Sequence, residues 1–402
     1  MTYRIAVFVG TRPEAIKMAP VIQALQGLES LQPSAEVEPV VISTGQHREM
    51  LQQVVDIFDL PLHHQLDVMT QDQTLATLSA RLMTKIDALL GELKPDLALV
   101  QGDTTTVLMA ALACFYRNVP VGHVEAGLRT GNMRSPFPEE VNRRLVTPLA
   151  DLHFAPTTTA AANLVRESVP ESRIHVTGNT VIDALQLEIR RQKADPSAVD
   201  EVDRSLNPKL GPDWRSRPSI LVTGHRRENL GSGFLNICEA LLRLSLRFPE
   251  HRFIYPVHLN PKVQGPVQAR LSSISNIYLL PPLSYRPFVA LMNHVELVLT
   301  DSGGVQEEAP GLGKPVLVMR ETTERPEGVE AGTVRLVGTQ VEKIVSGVSE
   351  LLTDNAVYRR MSDAHNPYGD GNASGRIVET CVRFLRDGAD GYVRRSPPPF
   401  AA

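Results

Sequence analysis

The sequence predicts an α/β protein made of two doubly wound domains, each with a mostly parallel sheet. A short aliphatic run, a polar loop and a segment of helical period follow one another repeatedly, which is typical of βα units. This order stops in a polar stretch at about residues 190–218 and then starts again. The chain has 402 residues, of which 42% are hydrophobic, and this is enough for about two or three separate cores.

Short aliphatic runs predict the strands of the first half. They are Ile5–Val9, Val40–Ser43, Leu97–Val100, Val119–Val124, Leu152–Ala155 and Ile174–Thr177. Between the second and third runs, leucine and isoleucine recur at spacings of three and four over Leu75–Leu93, so they share one face of a helix. Either Asp72 or Thr74 can cap the start of this helix.

The same pattern predicts the strands of the second half. They are Ile220–Thr223, Phe253–Val257, Ile277–Leu280, Leu297–Thr300, Pro315–Met319 and Val334–Val337. The polar stretch before them contains Pro196, Pro208, Gly211 and Pro212, and we interpret it as domain-boundary structure. A last helical segment lies near Arg376–Arg386.

Composition excludes several classes of function. The chain has 41 Lys and Arg against 45 Asp and Glu, so its overall charge gives no attraction to nucleic acid or to anionic membranes. Its most apolar uncharged stretch, Thr104–Tyr116, is shorter than the roughly 20 residues of a membrane helix. Three well-separated cysteines and the lack of an export signal at the start favour a reducing compartment. We therefore expect a cytoplasmic protein without nucleic-acid or membrane partners.

Acidic and basic side chains follow the predicted strands of the first half. Ligands of parallel sheets bind beyond the carboxyl ends of the strands. Arg12 and Lys17 follow the first strand, Asp103 and Glu125 follow the third and fourth, and Glu139 stands shortly before a helix. The three carboxylates are candidates for proton transfer in a shared pocket. Each is equally a candidate for a loop cap, and the residues alone leave that choice open.

A phosphate site is predicted in the second half. Ser302, Gly303 and Gly304 stand at a helix start, where bare backbone N–H groups can approach a phosphate. Glu308, about one turn later, can accept hydrogen bonds from a ribose diol. A plain capped helix with glycines for tight packing explains the same residues equally well. Cationic donors suited to a diphosphate are Arg12, Lys17, His225 and Arg325.

Several motifs are absent from the sequence. It has no G-x-x-x-x-G-K-[ST] phosphate loop, no G-x-G-x-x-G fingerprint after a strand, no H-E-x-x-H, no paired C-x-x-C and no G-x-S-x-G. This argues against a P-loop NTPase, an ordinary NAD enzyme, a zincin and an α/β-hydrolase. We expect neither a metal nor a cofactor.

Seven segments of the sequence closely resemble the bacterial non-hydrolysing UDP-N-acetylglucosamine 2-epimerase family, in order and in spacing. They are Gly10–Lys17, Gly45–Leu51, Gly102–Thr106, His123–Arg129, Thr177–Thr180, Gly224–Asn229 and Asp301–Glu308. The likeness extends from about Arg4 to about Glu379. It implies the GT-B fold, with two facing Rossmann-like domains and the ligand in the cleft between them.

The resemblance also implies domain limits. The N-terminal domain comprises residues 1–178 and is joined by a C-terminal helix at about 374–392. The UDP-binding domain comprises residues 179–373, and residues 393–402 form a loose tail.

The activity implied by the resemblance is the interconversion of UDP-GlcNAc and UDP-ManNAc, which supplies ManNAc for cell-surface polysaccharide. By motif match, the catalytic residues are Asp103, Glu125, Glu139 and His225. The substrate-binding residues are Arg12, Lys17, His225, His258, Ser302, Gly303, Gly304, Glu308 and Arg325. Family members commonly form homodimers, and many bind a second, activating UDP-GlcNAc at positions that match Gln46, Glu49 and His258.

The chemistry of that substrate can be argued separately. C2 of the sugar is not adjacent to a carbonyl, so an enzyme must either oxidise C3 or expel UDP from C1 to make the C2 proton acidic. The missing dinucleotide fingerprint favours expulsion. One carboxylate then removes the C2 proton to give 2-acetamidoglucal, and a second acid returns a proton to the other face before UDP re-adds. Which carboxylate is base and which is acid stays open.

Four alternatives remain at this point. A hydrolysing epimerase and a GT-B glycosyltransferase share the fold, and a more heavily modified UDP-HexNAc is a possible substrate. A nucleotide-sugar sensor without turnover belongs to another class of protein, and the four catalytic positions together argue against it.

Overall fold

The computed structural model describes residues 2–31, 37–45, 48–70, 72–226 and 229–387, and the side chains of 29–31 and 48–50 lie outside this description. The chain forms two compact units. The first comprises the residues up to Ala184 and those from Gly369 onward, and the second comprises Leu185–Tyr368. Each unit has a parallel sheet with interleaved helices, so the predicted α/β class is confirmed. Within the described ranges, no helix is long and apolar enough to cross a membrane.

The first unit contains a seven-stranded parallel sheet in the order β3-β2-β1-β4-β5-β6-β7. Its strands are β1 (Tyr3–Val9), β2 (Val37–Ser43), β3 (His64–Gln65), β4 (Leu97–Gln101), β5 (Val121–Val124), β6 (Leu152–Ala155) and β7 (Ile174–Val176). The strand order reverses between β1 and β4. Loops diverge at such a reversal and leave a crevice at the carboxyl edge of the sheet.

Helices accompany the strands of this sheet. They are α1 (Arg12–Leu31), α2 (Arg48–Phe58), α3 (Leu75–Leu93), α4 (Thr105–Tyr116), α5 (Glu139–Val146), α6 (Thr158–Arg166) and α7 (Thr180–Ala194). Ile5, Ala6 and Val7 in β1 are fully buried although their side chains alternate between the two faces of the sheet. Burial on both faces explains why the strands are continuous aliphatic runs rather than alternating ones.

The predicted helix Leu75–Leu93 is confirmed as α3. Its cap is Thr74, whose hydroxyl accepts the amide of Thr77 while the Thr77 hydroxyl accepts the amide of Thr74. Leu82 and Ile86 on its inner face are fully buried, and each contributes about 2 kcal/mol by leaving water.

The second unit contains a six-stranded parallel sheet in the order β10-β9-β8-β11-β12-β13. Its strands are β8 (Ser219–Thr223), β9 (Arg252–Pro256), β10 (Ile277–Leu280), β11 (Leu297–Thr300), β12 (Val316–Val318) and β13 (Val334–Leu336). The accompanying helices are α8 (Pro196–Leu210), α9 (Ser232–Arg247), α10 (Pro261–Leu271), α11 (Tyr285–His294), α12 (Gly303–Glu308), α13 (Pro326–Glu330), α14 (Val341–Thr353) and α15 (Asn355–Ser362). Here the strand order reverses between β8 and β11.

The polar stretch at 190–218 lies inside the second unit, so its interpretation as domain-boundary structure was wrong. It contains α8, which begins with Pro196 at a position where proline needs no amide partner. Ala198, Val202, Leu206 and Leu210 recur every four residues and are buried. The helix therefore has an apolar face, although the stretch as a whole is polar.

A final helix, α16 (Ala373–Asp387), belongs to the first unit. The carboxylate of Asp183 accepts the amides of Ala373 at 3.2 Å and of Ser374 at 2.8 Å, and also the Ser374 hydroxyl at 2.6 Å. Ile377 and Cys381 are fully buried, and the helix packs against α1. The remainder of the predicted helix and the predicted tail at 393–402 lie outside the described residues.

Candidate active site

Glu125 follows β5 at the carboxyl edge of the first sheet and is 8% exposed. Lys17 Nζ lies 2.6 Å and 2.7 Å from its two carboxylate oxygens. Asn179 Nδ2 donates to Oε1 at 3.2 Å, and the Gln101 side-chain amide donates to Oε2. The φ of Glu125 is 63°, which costs a non-glycine residue about 1 kcal/mol or more. These donors hold the carboxylate in one orientation despite that cost.

Asp103 and Glu139 are connected through α5. The Asp103 carboxylate accepts a hydrogen bond from Arg143, and its main-chain carbonyl accepts one from Asn142 Nδ2 at 2.8 Å. Both donors lie on α5, whose first residue is Glu139. Oε2 of Glu139 is buried and has no hydrogen-bond partner within the described part of the chain. Its carboxylate thus differs from that of Asp103, which has a cationic partner.

The three predicted carboxylates lie on segments of the first unit that one hydrogen-bond network connects. Gln101 ends β4, two residues before Asp103, and donates to Glu125 after β5. Arg143 then connects Asp103 to the helix that begins with Glu139. The three acids are up to 36 residues apart in the printed sequence, and these hydrogen bonds connect the segments that carry them. Two of the acids are paired with cations, Glu125 with Lys17 and Asp103 with Arg143.

The neighbouring acid, Glu140, has a different environment. It is fully buried and accepts the amides of Thr130 at 3.0 Å and Gly131 at 3.2 Å. Burial raises the pKa of Glu140, but the Thr130 amide and the charge of Arg143 outweigh it, so the pKa lies below its ordinary value. Glu140 fixes the loop before α5 rather than facing a ligand.

Glu14 is a site residue that sequence reasoning missed. It is 2% exposed, and Oε2 accepts the amides of Gly10 at 3.0 Å and Thr11 at 2.5 Å. Oε1 accepts the hydroxyl of Thr104 at 2.7 Å. Burial raises the pKa of Glu14 to about 7, although each of these hydrogen bonds lowers it. The turn that Glu14 holds leads into Arg12, the half-buried first residue of α1.

His123 supports the loop that carries Asp103. It lies in β5, and its Nε2–H donates to the carbonyl of Gly102 at 2.7 Å. Burial lowers the pKa of His123 to about 4, so the ring is neutral near pH 7. A neutral ring with a fixed Nε2 proton leaves Nδ1 as an acceptor, and no described residue donates to it.

His225 in the second unit is oriented by Asp301. His225 Nδ1 lies 3.3 Å from Asp301 Oδ1, and the main-chain amides of His225 and Arg226 donate to the same carboxylate at 2.9–3.1 Å. Burial raises the pKa of Asp301, but His225 and these amides outweigh it and the pKa lies below its ordinary value. The His225 ring is 39% exposed and stacks on His258, with centroids 5.6 Å apart. The ring thus has Nδ1 beside Asp301 and one face against His258.

The predicted phosphate segment begins α12. The Ser302 amide donates to Thr300 Oγ1 at 2.9 Å, and Gly303 and Gly304 form the first turn. A Cβ on Gly303 would lie 3.3 Å from Arg226 Nη2, so glycine leaves space for this guanidinium beside the turn. The structure thus adds a cation, Arg226, which the sequence did not single out.

Glu308 and Arg325 lie in the same unit. Glu308 ends α12 and is 9% exposed. Arg325 Nε donates to Glu307, and the Tyr368 hydroxyl donates to the Arg325 carbonyl at 3.3 Å. Both the side chain and the main chain of Arg325 are therefore fixed.

The positions predicted for a second ligand are only partly visible. Gln46 lies outside the described residues, and so does the side chain of Glu49, whose backbone is in α2. His258 is described and stacks on His225. Among the described residues, no group of three or more His, Cys, Asp or Glu side chains is arranged to hold a metal ion.

Comparison with known proteins shows extensive similarity. The family model for UDP-N-acetylglucosamine 2-epimerase matches residues 29–381. A UDP-N-acetylglucosamine 2-epimerase from Yersinia pestis is 53% identical over 92% of this chain and 96% of its own length. The corresponding protein from Escherichia coli K12 is 52% identical over the same shares.

Solved structures are similar as well. The UDP-GlcNAc 2-epimerase from Neisseria meningitidis, bound to UDP-GlcNAc, has a TM-score of 0.84 and 46% identity, covering 95% of this chain and 100% of that one. The enzyme from Methanocaldococcus jannaschii, in complex with UDP-GlcNAc and UDP, has a TM-score of 0.75 and 32% identity, covering 94% and 99%.

Proposed function

The chain belongs to the UDP-N-acetylglucosamine 2-epimerase family, and we propose on this premise that it interconverts UDP-GlcNAc and UDP-ManNAc by inverting C2. It is an isomerase with the GT-B fold of this family. The observation that supports the proposal is the hydrogen-bond network that connects the segments carrying Asp103, Glu125 and Glu139 in the first unit.

The proposed reaction proceeds by elimination and re-addition. The C1–O bond breaks with its electron pair moving to UDP, and a carboxylate takes the C2 proton, so that a C1=C2 double bond forms in 2-acetamidoglucal. A second acid protonates C2 on the opposite face, and UDP adds back to C1. Two faces require two proton carriers, and a cluster of carboxylates in different environments supplies them.

We assign the carriers from their surroundings. Glu139 is one carrier, because its buried Oε2 has no hydrogen-bond partner among the described residues. The other carrier is either Asp103 or Glu125, which form ion pairs with Arg143 and Lys17. The variants below decide between these two.

The second unit is proposed to hold the departing UDP. His225 donates from Nε2 to the diphosphate, with Asp301 fixing its other nitrogen. The amides of Ser302, Gly303 and Gly304 bind a phosphate. By the motif match alone, Arg12 is a further residue proposed to bind the diphosphate. Glu308 accepts the ribose hydroxyls, and Arg325 and His258 contact the nucleotide. Fixed donors stabilise the charge that develops on the leaving group.

Proton NMR of the purified protein with UDP-GlcNAc in D2O tests this function. We expect a mixture of UDP-GlcNAc and UDP-ManNAc with deuterium at C2. Retention of the original hydrogen at C2 would overturn elimination. Free ManNAc would indicate a hydrolysing epimerase, and consumption that needs an acceptor would indicate a glycosyltransferase.

Single substitutions test the carboxylates. Glu125→Gln, Asp103→Asn and Glu139→Gln each preserve size and should lower kcat by about 100-fold or more if the residue carries a proton. Glu167→Gln is the control, since Glu167 pairs with Arg129 in the same unit outside the network. If a folded variant has near-normal turnover, the residue that it replaces is not a proton carrier.

Three further properties are proposed from the resemblance. UDP-GlcNAc activates the enzyme at a second site that includes Gln46, Glu49 and His258, so conversion of pure UDP-ManNAc should accelerate when UDP-GlcNAc is added. The protein forms a homodimer, which analytical ultracentrifugation measures. It works in the cytoplasm, which three free, buried cysteines support and fractionation tests.

A further inference from the structure

Glu14 is a buried carboxylate that the proposed mechanism does not use. It accepts three hydrogen bonds, two from the turn at Gly10 and Thr11 and one from the Thr104 hydroxyl. Burying a carboxylate is costly unless its hydrogen bonds are satisfied. That cost is visible in its pKa, which burial raises to about 7.

The groups that Glu14 joins belong to different parts of the site. The turn at Thr11 connects β1 to α1, which carries Arg12 and Lys17. Thr104 directly follows Asp103 and is the N-cap of α4, where it accepts the amide of Val107. β1 and β4 are paired neighbours in the sheet, on either side of the reversal in strand order. Glu14 is thus a bridge across this reversal.

We propose that Glu14 is a positioning residue, which fixes the spacing between the start of α1, where Arg12 and Lys17 lie, and the loop that carries Asp103. This inference rests on the proposed function. Arg12 faces the leaving diphosphate, Lys17 holds Glu125, and Asp103 is a candidate proton carrier. A displacement of about 1 Å between such groups reduces turnover by about 100-fold.

The bridge depends on hydrogen bonds at both ends rather than on charge. Glutamine has the same length, and its carbonyl can accept the turn amides while its NH2 donates to the Thr104 hydroxyl. Methionine has a similar volume but cannot form these bonds. At the other end, Thr104→Ser keeps the hydroxyl and Thr104→Val removes it.

The experiment measures kcat and KM for UDP-GlcNAc in these variants, together with thermal unfolding. We expect Glu14→Met to lower kcat by at least 30-fold with KM changed less than threefold, and Glu14→Gln to keep at least a third of kcat. Thr104→Val should lower kcat about fivefold, and Thr104→Ser should leave it unchanged. In the double variant, Thr104→Val should lower kcat no further than Glu14→Met does alone.

Glu188→Gln is the matched control for loss of a buried carboxylate. Glu188 is fully buried and pairs with Arg286 within the second unit, so this variant should unfold at lower temperature with kcat unchanged.

Other results overturn the proposal. If folded Glu14→Met has a kcat within threefold of the parent, Glu14 has a merely structural role. The same follows if Glu188→Gln loses as much kcat as Glu14→Met. Equal losses in Glu14→Gln and Glu14→Met show that charge rather than bridging matters. If Glu14→Met does not fold, the Thr104 pair decides alone. An inactive parent protein refutes the proposed function instead.

Discussion

Asp301 and Glu14 perform the same task in different sheets. Each accepts main-chain amides of the loop that follows the first strand of its unit, β1 or β8. Each also lies where the order of the strands reverses, which is where ligand-binding loops diverge. For Asp301, whose pKa lies below its ordinary value, charge also contributes, since charge-assisted hydrogen bonds to amides are about twice as strong as neutral ones.

Replacement of Asp301 should impair His225. The side chain in Asp301→Asn has one acceptor oxygen where the carboxylate has two. The amides of His225 and Arg226 and the ring of His225 therefore cannot all keep an acceptor. We expect kcat to fall about 10- to 100-fold. Steady-state kinetics measures this, with Asp195→Asn at the exposed cap of α8 as the control. Equal kcat in both variants would contradict the role of Asp301.

Two buried histidines predict acid sensitivity. His123 and His153 occupy paired positions of β5 and β6, and burial lowers their pKa values to about 4 and about 3. An unfolded histidine takes up a proton below about pH 6.5, so the free energy of unfolding falls as pH falls from 6.5 towards 4. Each contributes a slope of up to about 1.4 kcal/mol per pH unit.

The prediction is tested by His153→Gln, which removes one of these titrations. Its unfolding temperature should depend less on pH between 6.5 and 4 than that of the parent protein. Glu14 acts in the opposite sense, because its raised pKa stabilises the fold at low pH and this stability is lost as pH rises from about 4.5 to about 7. Parallel curves for the parent and His153→Gln would contradict the assignment.

The candidate site could be predicted only in part from the sequence. The hydrophobic pattern of the sequence predicts the strands and helices, and it therefore also predicts that Asp103, Glu125 and Glu139 follow strands or precede a helix. Glu14 lies in the first turn of a helix, where an acidic residue is ordinary. Its burial arises from the approach of Thr104, which is 90 residues away and has no local signal.

At the scale of elements, the turn after β5 requires glycine. Gly127 has a φ of 88°, and a Cβ there would lie 2.2 Å from the Ala160 carbonyl oxygen in α6. Gly127→Ala should destabilise the first unit by at least about 3 kcal/mol, from strain and overlap together. Gly131→Ala is the matched control, since Gly131 has a φ of 77° but nothing within 4 Å.

Chemical denaturation measures both glycine variants. Gly131→Ala should cost about 1 kcal/mol, which is the strain of the left-handed conformation alone. Equal losses in the two variants would show that the close approach of α6 does not matter.

Strands with long aliphatic runs were predicted almost to their ends. β3 was missed, because a strand of two residues, His64 and Gln65, has no periodicity to detect. It exists because Ile42 and Ser43 of β2 offer an edge for pairing. α8 was missed because its polar residues dominate the composition of the stretch around it.

At the scale of the whole molecule, the first unit depends on the end of the chain. α16 packs against α1 and is capped by Asp183, close to the point where the chain passes into the second unit. Truncation before Gly369 should therefore expose the buried surface of α1 and increase amide hydrogen exchange in α1 and β1. The strands of the second unit should keep their protection, and uniform loss in both sheets would contradict this.

Both sheets also contain a pair of hydrogen-bonded threonine side chains near the reversal of strand order. The hydroxyls of Thr44 and Thr106 are 3.0 Å apart in the first unit, and those of Thr223 and Thr300 are 2.5 Å apart in the second. All four groups are buried. Each pair satisfies two polar groups with one hydrogen bond, which lets loops approach closely without a water between them.

The first unit combines residues up to Ala184 with residues from Gly369 onward, and this has a consequence for biosynthesis. A ribosome releases the whole of Leu185–Tyr368 before it releases α16, so the second unit is complete as a nascent chain while the first still lacks a covering helix. Domains usually fold in the order of their translation. Here the unit whose translation starts first is complete only after α16 has been translated.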